Sequence, residues 1–101
     1  MNIKKHIVDG KVAVLYSPGF GAGWSTWGVP ELAVDKDLVE LFIADDLVSF
    51  EAKVDEKYPD TYLGGLCDLE VAWITEGTRI QITEYDGNEG IEFLDSVGFS
   101  L

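Results

Sequence analysis

Side chains that carry out nucleophilic and metal chemistry are rare in this sequence. His6 is the single histidine and Cys67 the single cysteine among 101 residues. A Ser-His-Asp or Cys-His arrangement would have to use His6, which lies beside Lys5 in a predicted strand. Cys67 lies in an acidic region, where a thiol ionises less readily, and a zinc site needs more ligands than these two residues supply. We therefore expect no catalytic residue, no metal site and no cofactor.

Carboxylates are the abundant reactive groups, since 19 acidic residues stand against seven basic ones and give a net charge of −12. Hydrolysis by paired acids needs two carboxylates across a substrate cleft, for which a chain of this length has little room. The stretch from Asp86 to Gly90 has the spacing of the start of a calcium-binding loop, but Val97 stands where that loop needs a glutamate. We therefore expect a protein that is not an enzyme.

A segment rich in glycine and aromatic residues, here called the aromatic loop, is the most distinctive part of the sequence. Residues 17–28 contain four glycines and three aromatic side chains. Glycine amides can form a concavity that binds anions, and tryptophan can stack on a nucleobase. Alternatively, the aromatic side chains close one end of a small core. The first interpretation predicts the following ligand-binding or partner-binding residues: Phe20, Trp24, Ser25, Thr26, Trp27 and Arg79.

The negative charge is concentrated in the later part of the chain. Residues 1–30 carry a charge of +2, residues 31–57 carry −6 and residues 58–101 carry −8. Direct binding of DNA, RNA or anionic lipid is disfavoured because proteins bind these anionic ligands through lysine and arginine. The pattern instead predicts an acidic surface that suits a basic protein. Its expected members are Asp45, Asp46, Glu51, Asp55, Glu56, Glu84, Asp86 and Glu89.

The chain shows neither a signal-like apolar segment nor a candidate membrane span. Its longest uninterrupted apolar run, Val12–Tyr16, has five residues, and a spanning helix needs about 20. A single cysteine cannot form an intramolecular disulfide, which fits a reducing compartment. We therefore expect a cytoplasmic protein.

The N-terminal residues that precede the aromatic loop predict a β-hairpin. Strands at 3–8 and 11–17 flank Asp9-Gly10, a dipeptide that favours a type I′ turn. Both faces of the second strand are apolar, which predicts a central strand covered on both sides.

The middle of the chain predicts helical structure. Asp37 and Glu40 are expected to form a capping box at its start. Apolar residues then recur at helical spacing, and the pattern leaves open whether one kinked helix or two form. The expected buried face of the second part contains Leu47, Phe50, Val54 and Tyr58.

The last part of the chain predicts β-structure again. Strands at 69–76 and 78–85 are expected to form a second hairpin around Gly77, followed by a loop at 86–90 and a short strand at 91–94. The whole pattern predicts one α+β domain over residues 1–101. It is expected to contain an antiparallel sheet built from two hairpins, with one or two helices packed on one face.

Two parts of the sequence resemble small proteins that bacteriophages and prophages encode, a group with no established activity. One is the segment 17–27, SPGFGAGWSTW, and the other is the stretch from Trp73 through Gly87; together they cover roughly a quarter of the chain. The resemblance implies a phage setting, hence the cytoplasm of a host bacterium, and it assigns no catalytic residue.

Charge and phage setting together lead to the main functional expectation, a non-enzymatic inhibitor. An acidic protein of this size comes within about a factor of two of the charge density of DNA, so it can occupy a basic nucleic-acid channel. The expected partner is a host defence protein that handles nucleic acid, as in anti-CRISPR inhibition.

Two alternatives stay open. The aromatic loop can instead sequester a nucleotide messenger of anti-phage defence, with phosphates held by Lys4, Lys5, Lys11 or Arg79. One chain offers few basic residues for this role, but a homo-oligomer would gather the basic residues of several chains at a subunit interface. The chain can also be a phage structural component or an interaction module.

Overall fold

Antiparallel strands and two α-helices make up the described part of the chain, which confirms the α+β class. The computed structural model describes residues 4–19, 23–26, 28–59, 69–94 and 98–101. In chain order the elements are β1 (Ile7–Val8), β2 (Lys11–Tyr16), a 3₁₀ helix (Pro30–Ala33), α1 (Lys36–Ile43), α2 (Leu47–Lys57), β3 (Glu70–Thr75), β4 (Arg79–Tyr85), β5 (Asn88–Leu94) and β6 (Phe99–Ser100).

The described strands form two three-stranded antiparallel sheets. The first sheet has the order β1-β2-β3, and the second has the order β5-β4-β6. In the first sheet, β2 pairs with β3 from Lys11 opposite Thr75 to Tyr16 opposite Glu70. The expected hairpin around Asp9-Gly10 is present, and both turn residues have the positive φ angles of a type I′ turn, 52° and 77°.

The second hairpin differs from the expected one, because β3 and β4 belong to different sheets. The hairpin partner of β4 is β5, and the turn between them is Asp86-Gly87 with φ angles of 52° and 83°. Residues 88–90, expected in a loop, therefore lie in β5. Glu76-Gly77 has a positive φ at Gly77 alone, so it cannot form a two-residue type I′ turn. It carries the chain from the first sheet to the second.

Strand β2 is covered on both faces, as its apolar alternation predicts. Ala13 and Leu15 belong to a buried cluster shared with the two α-helices, whereas Val12 and Val14 belong to a cluster shared with the second sheet. All four residues have no exposed surface. The fold therefore consists of a helical layer, the first sheet and the second sheet, with β2 in the centre.

The helical region forms two helices, and neither begins where the capping-box prediction placed it. Asp35 caps α1 by accepting hydrogen bonds from the backbone N–H groups of Asp37 and Leu38, at 3.0 and 3.4 Å. Asp37 therefore lies in the first turn of α1 rather than at its cap. Asp46 caps α2 by accepting from Ser49 N at 3.2 Å. No described helix combines the length and apolar character that crossing a membrane requires.

Candidate functional site

A buried carboxylate organises the aromatic loop. Glu89, near the start of β5, is 2% exposed, so its expected place on the acidic surface is wrong. Its Oε1 accepts a hydrogen bond from Ser17 N at 2.9 Å. Its Oε2 accepts from Trp24 N at 2.7 Å, from Thr26 N at 3.0 Å and from Thr26 Oγ1 at 2.5 Å. The amides of the loop thus converge on an anion, and that anion is a side chain of the same protein.

Trp24 contributes to the core. Its side chain has no exposed surface, and its indole N–H donates to the carbonyl of Leu32 at 2.9 Å. Its ring stacks on Phe50 of α2 with 5.7 Å between the ring centroids and 26° between the planes. This placement agrees with the interpretation in which the loop closes one end of the core, and it leaves Trp24 no face for a ligand.

The other predicted loop residues have different positions. Ser25 is 5% exposed, and Thr26 is exposed while its backbone and hydroxyl bind Glu89. Phe20 and Trp27 lie outside the described residues.

A shallow pocket lies between the aromatic loop and the second sheet. It has a volume of about 440 Å³, and its described lining residues are Ser25, Thr26, Gly28, Pro30, Gln81, Ile82 and Phe99. None of these described residues is charged. Arg79 lies on β4 two residues before Gln81, exposed and outside this lining set. The pocket suits a neutral, largely apolar group better than a phosphate.

The predicted acidic residues, apart from Glu89, are exposed but occupy two layers of the fold. One group comprises Asp45 and Asp46 at the α1–α2 connection and a helical acidic face formed by Glu51, Asp55 and Glu56 of α2. The second group, Glu84 and Asp86, lies at the β4–β5 turn. Because the helices and the second sheet cover opposite faces of β2, the acidic residues do not form one continuous surface.

The two lysines of α2 are engaged by neighbouring carboxylates. Lys53 Nζ lies 3.3 Å from Glu56 Oε2, and Lys57 Nζ lies 2.7 Å from Asp35 Oδ2 and 3.2 Å from Asp37 Oδ2. The helical acidic face is therefore accompanied by lysines whose charge is already partly compensated.

Asp35 is the centre of a polar network that the sequence pattern did not predict. Its carboxylate is 1% exposed and accepts from Tyr58 Oη at 2.7 Å as well as from Lys57. Burial alone would raise the pKa of Asp35, but hydrogen bonds from Lys57 and Tyr58 and the charge of Lys57 lower it below its usual 3.8. Burial and the Asp35 carboxylate raise the pKa of Tyr58 far above its usual value. An aspartate three residues before the first apolar residue of a helix was the signal that could have identified the cap.

Burial alone would lower the pKa of Lys57. The carboxylates of Asp35 and Asp37 raise it by more, so the pKa of Lys57 lies above its usual 10.5. Asp35, Lys57 and Tyr58 thus stay in their usual charge states at neutral pH. The network fixes the start of α1 against the end of α2, which positions the helical acidic face.

Three exposed apolar residues lie at the connection between the helices. Ile43 is 47% exposed, Leu47 49% and Val48 82%. Of the expected buried face, Phe50 and Val54 are buried and Tyr58 packs partly buried against the same cluster, whereas the expectation for Leu47 is wrong. The helix begins at Leu47, so its first turn projects beyond the core.

Several basic residues lie around the first described residues and β6. Lys5 Nζ donates to Ser100 O at 3.1 Å, Ser100 pairs with Arg79, and Lys36 N donates to Lys4 O at 3.0 Å. These contacts place Lys4, Lys5, Lys36 and Arg79 in one region of the molecule, and none of the four is among the described lining residues of the pocket.

Comparisons with protein-family models, with curated proteins and with solved structures found no match for this chain. Within the described ranges, no three His, Cys, Asp or Glu side chains are grouped so that they could hold a metal ion.

Proposed function

We propose that this protein is a non-enzymatic, phage-type inhibitor that occupies a basic, nucleic-acid-binding surface of a host defence protein in the bacterial cytoplasm. The observation that carries the proposal is the helical acidic face of α2. Its three carboxylate residues are exposed along one rigid element, and the lysines of the same helix are engaged by carboxylates. Lys53, however, pairs with Glu56 of the face itself. Glu51 and Asp55 therefore offer most of the negative charge that the lysines and arginines of a basic partner can neutralise.

Size and net charge also support this proposal. The molecule measures 35 × 30 × 21 Å. Over a length of 30 Å, duplex DNA carries about 18 phosphates, while this chain carries a net charge of −12. An acidic globule of this size can enter a channel built for nucleic acid, and long-range attraction accelerates the encounter.

Two charge variants test the proposal by affinity capture from bacteria, followed by mass spectrometry. The first neutralises the helical acidic face with Glu51→Gln, Asp55→Asn and Glu56→Gln. The matched control neutralises three exposed residues outside the helices, Glu70→Gln, Glu76→Gln and Glu92→Gln. Both variants change the net charge by the same amount, so they separate an effect of position from an effect of total charge.

We expect the wild type and the control to retain a nucleic-acid-handling protein that the helical variant loses. The affinity of the purified complex should fall steeply as salt rises, and the chain should displace nucleic acid from that partner. A complex that is insensitive to salt, or one that leaves nucleic-acid binding intact, would overturn the proposal.

Sequestration of a nucleotide messenger is the second candidate, and the pocket beside the aromatic loop is the observation that favours it. A neutral base fits that lining, but the loop amides that would hold a phosphate already bind Glu89. Quenching of tryptophan fluorescence and a raised melting temperature across a nucleotide panel would support this function. The absence of both would remove it.

A further inference from the structure

The connection between α1 and α2 exposes a compact apolar group, here called the corner surface, which consists of Ile43, Leu47 and Val48. Their exposed fractions are 47%, 49% and 82%. Single exposed apolar residues are common on proteins and need no explanation. Three within six positions, on both sides of one tight connection, lie outside the two buried clusters of the fold.

The backbone under the corner surface is held rigidly. Ala44 N donates to Glu40 O at 3.0 Å, Asp45 N to Phe42 O at 3.0 Å, and Asp46 N to Leu41 O at 3.0 Å. The Asp46 carboxylate then caps α2 through Ser49 N. A partner that binds here meets a surface that is already ordered, so little conformational entropy is lost on binding.

Carboxylates border the corner surface. Asp45 and Asp46 lie between its members in the chain, and Glu51 lies one helical turn after Leu47 and Val48 on the same side of α2. All three carboxylate residues are exposed. An apolar centre with a polar border is the general arrangement of a protein-binding interface.

We propose that the corner surface is the anchor of the partner interface, and that it binds an amphipathic segment whose apolar side chains are bordered by lysine or arginine. The sign of the partner's charge rests on the proposed function, whereas the apolar contact does not. A second copy of this chain fits poorly, because two acidic borders would face each other across a symmetric contact.

A synthetic helical peptide of leucine and lysine, with all leucines on one face, is the probe. A second peptide has the same composition but no apolar face. Binding of each is measured by NMR on the isotope-labelled protein and by calorimetry. The corner variant combines Leu47→Ser with Val48→Ser. Its control is Val8→Ser, which alters an exposed valine of β1. Thermal unfolding followed by circular dichroism checks that each variant is folded.

The amphipathic peptide should shift the amide signals of residues 43–52 and bind about tenfold more weakly to the corner variant than to the wild type or to Val8→Ser. The amphipathic peptide should also bind more tightly than the second peptide, which has no apolar face. Equal binding of both peptides, or shifts centred on the β4–β5 turn, would overturn the corner surface as the anchor. Dimerisation that Val48→Ser abolishes would overturn it in favour of self-association.

Variants of the helical acidic face separate a failure of the corner-surface proposal from a failure of the proposed function. If Glu51→Gln, Asp55→Asn and Glu56→Gln abolish capture of the bacterial partner while Leu47→Ser and Val48→Ser do not, then the electrostatic proposal holds and the corner surface is not its anchor. If neither variant alters capture, both proposals fail.

Discussion

Glu89 places a carboxylate where water does not reach it and supplies the acceptor for three backbone amides and one hydroxyl. A buried carboxylate is stable when several donors replace its hydration shell, and a buried amide needs an acceptor in turn. The residue and the loop therefore require each other. One acidic residue of β5 thus holds the backbone at Ser17, Trp24 and Thr26, more than 60 positions earlier in the chain.

Glu89→Gln is expected to destabilise the protein by about 2 kcal/mol, since the uncharged amide is a weaker acceptor and its NH₂ group would face a backbone donor. Urea unfolding measures the loss, and hydrogen exchange of the Ser17, Trp24 and Thr26 amides should accelerate. Glu92→Gln, three positions later and exposed, is the control and should change stability by less than about 0.5 kcal/mol. Equal stability of the two variants would contradict the structural role of Glu89.

The Asp35 network predicts a loss of stability in acid. Because the pKa of Asp35 lies below 3.8 in the folded protein, the unfolded chain takes up the proton first as the pH falls. The stabilising contribution of Asp35 is therefore complete above its usual pKa and disappears as the pH falls through the folded value. Urea unfolding of the wild type and of Asp35→Asn should show a difference at neutral pH that shrinks below about pH 4.

The same network predicts a loss of stability in alkali. The pKa values of Lys57 and Tyr58 are raised in the folded protein, so their contributions are complete below the usual values of 10.5 and 10.0 and are lost as the pH rises further. Tyr58→Phe removes the hydroxyl and should flatten the decline in stability above about pH 10. An unchanged decline would show that Tyr58 is not its source.

At the scale of the elements, the chain approaches β4 closely at Gly98, the residue before β6. Gly98 has a φ of +81°, and a Cβ there would overlap the carbonyl oxygen of Ile80 and lie 2.7 Å from Leu94 Cδ1. Gly10 has a similar φ of +77° but open space around it. Gly10→Ala should therefore cost about 1 kcal/mol from backbone strain, and Gly98→Ala should cost about 3 kcal/mol or more. Denaturant titration compares the two, and equal costs would contradict the close approach.

Local signals in the sequence predicted the elements that depend on neighbouring residues. The Asp9-Gly10 turn and the two apolar faces of β2 were predictable because turn chemistry and side-chain alternation are local. The partner of β3 was not, since strand pairing depends on which apolar faces remain uncovered after the chain collapses. Gly77 marked a turn correctly, but not the change of sheet that follows it.

In the candidate sites, too, features set by neighbouring residues were predictable and features set by distant residues were not. The aromatic loop was recognisable from its glycines, but the three amides that bind Glu89 belong to Ser17, Trp24 and Thr26 rather than to glycines. That the anion is Glu89 could not be predicted, because the carboxylate comes from a strand far away in sequence. Leu47 fits a helical apolar face by spacing alone, and its exposure follows from the position of the helix start relative to the core.

At the scale of the whole molecule, two buried clusters share β2, so they should unfold together. Leu15→Ala removes packing on the helical side of β2, and Ile80→Ala removes packing on the side of the second sheet. Each should cost about 2–5 kcal/mol, and each variant should still unfold in a single transition detected alike by tryptophan fluorescence and far-ultraviolet circular dichroism. Two separate transitions in either variant would mean that the clusters are independent.

The net charge of −12 acts on the whole molecule in the absence of any partner. Like charges on one globule repel each other and favour expansion, and salt screens that repulsion over a distance of about 10 Å at 0.1 M. Raising sodium chloride from about 0.01 M to about 0.5 M should therefore stabilise the free protein by about 1 kcal/mol, or roughly 4–8 °C in melting temperature. Calorimetry measures the shift.

The same salt series distinguishes the two consequences of the charge. Screening that stabilises the free protein should weaken its complex with a basic partner, so melting temperature and dissociation constant should rise together. The helical variant and its matched control, which have equal net charge, should show equal and smaller salt effects on melting. Only the helical variant should lose most of the salt effect on binding, because binding depends on where the charge lies. A control variant that loses it equally would mean that total charge, rather than the helical acidic face, determines the partner.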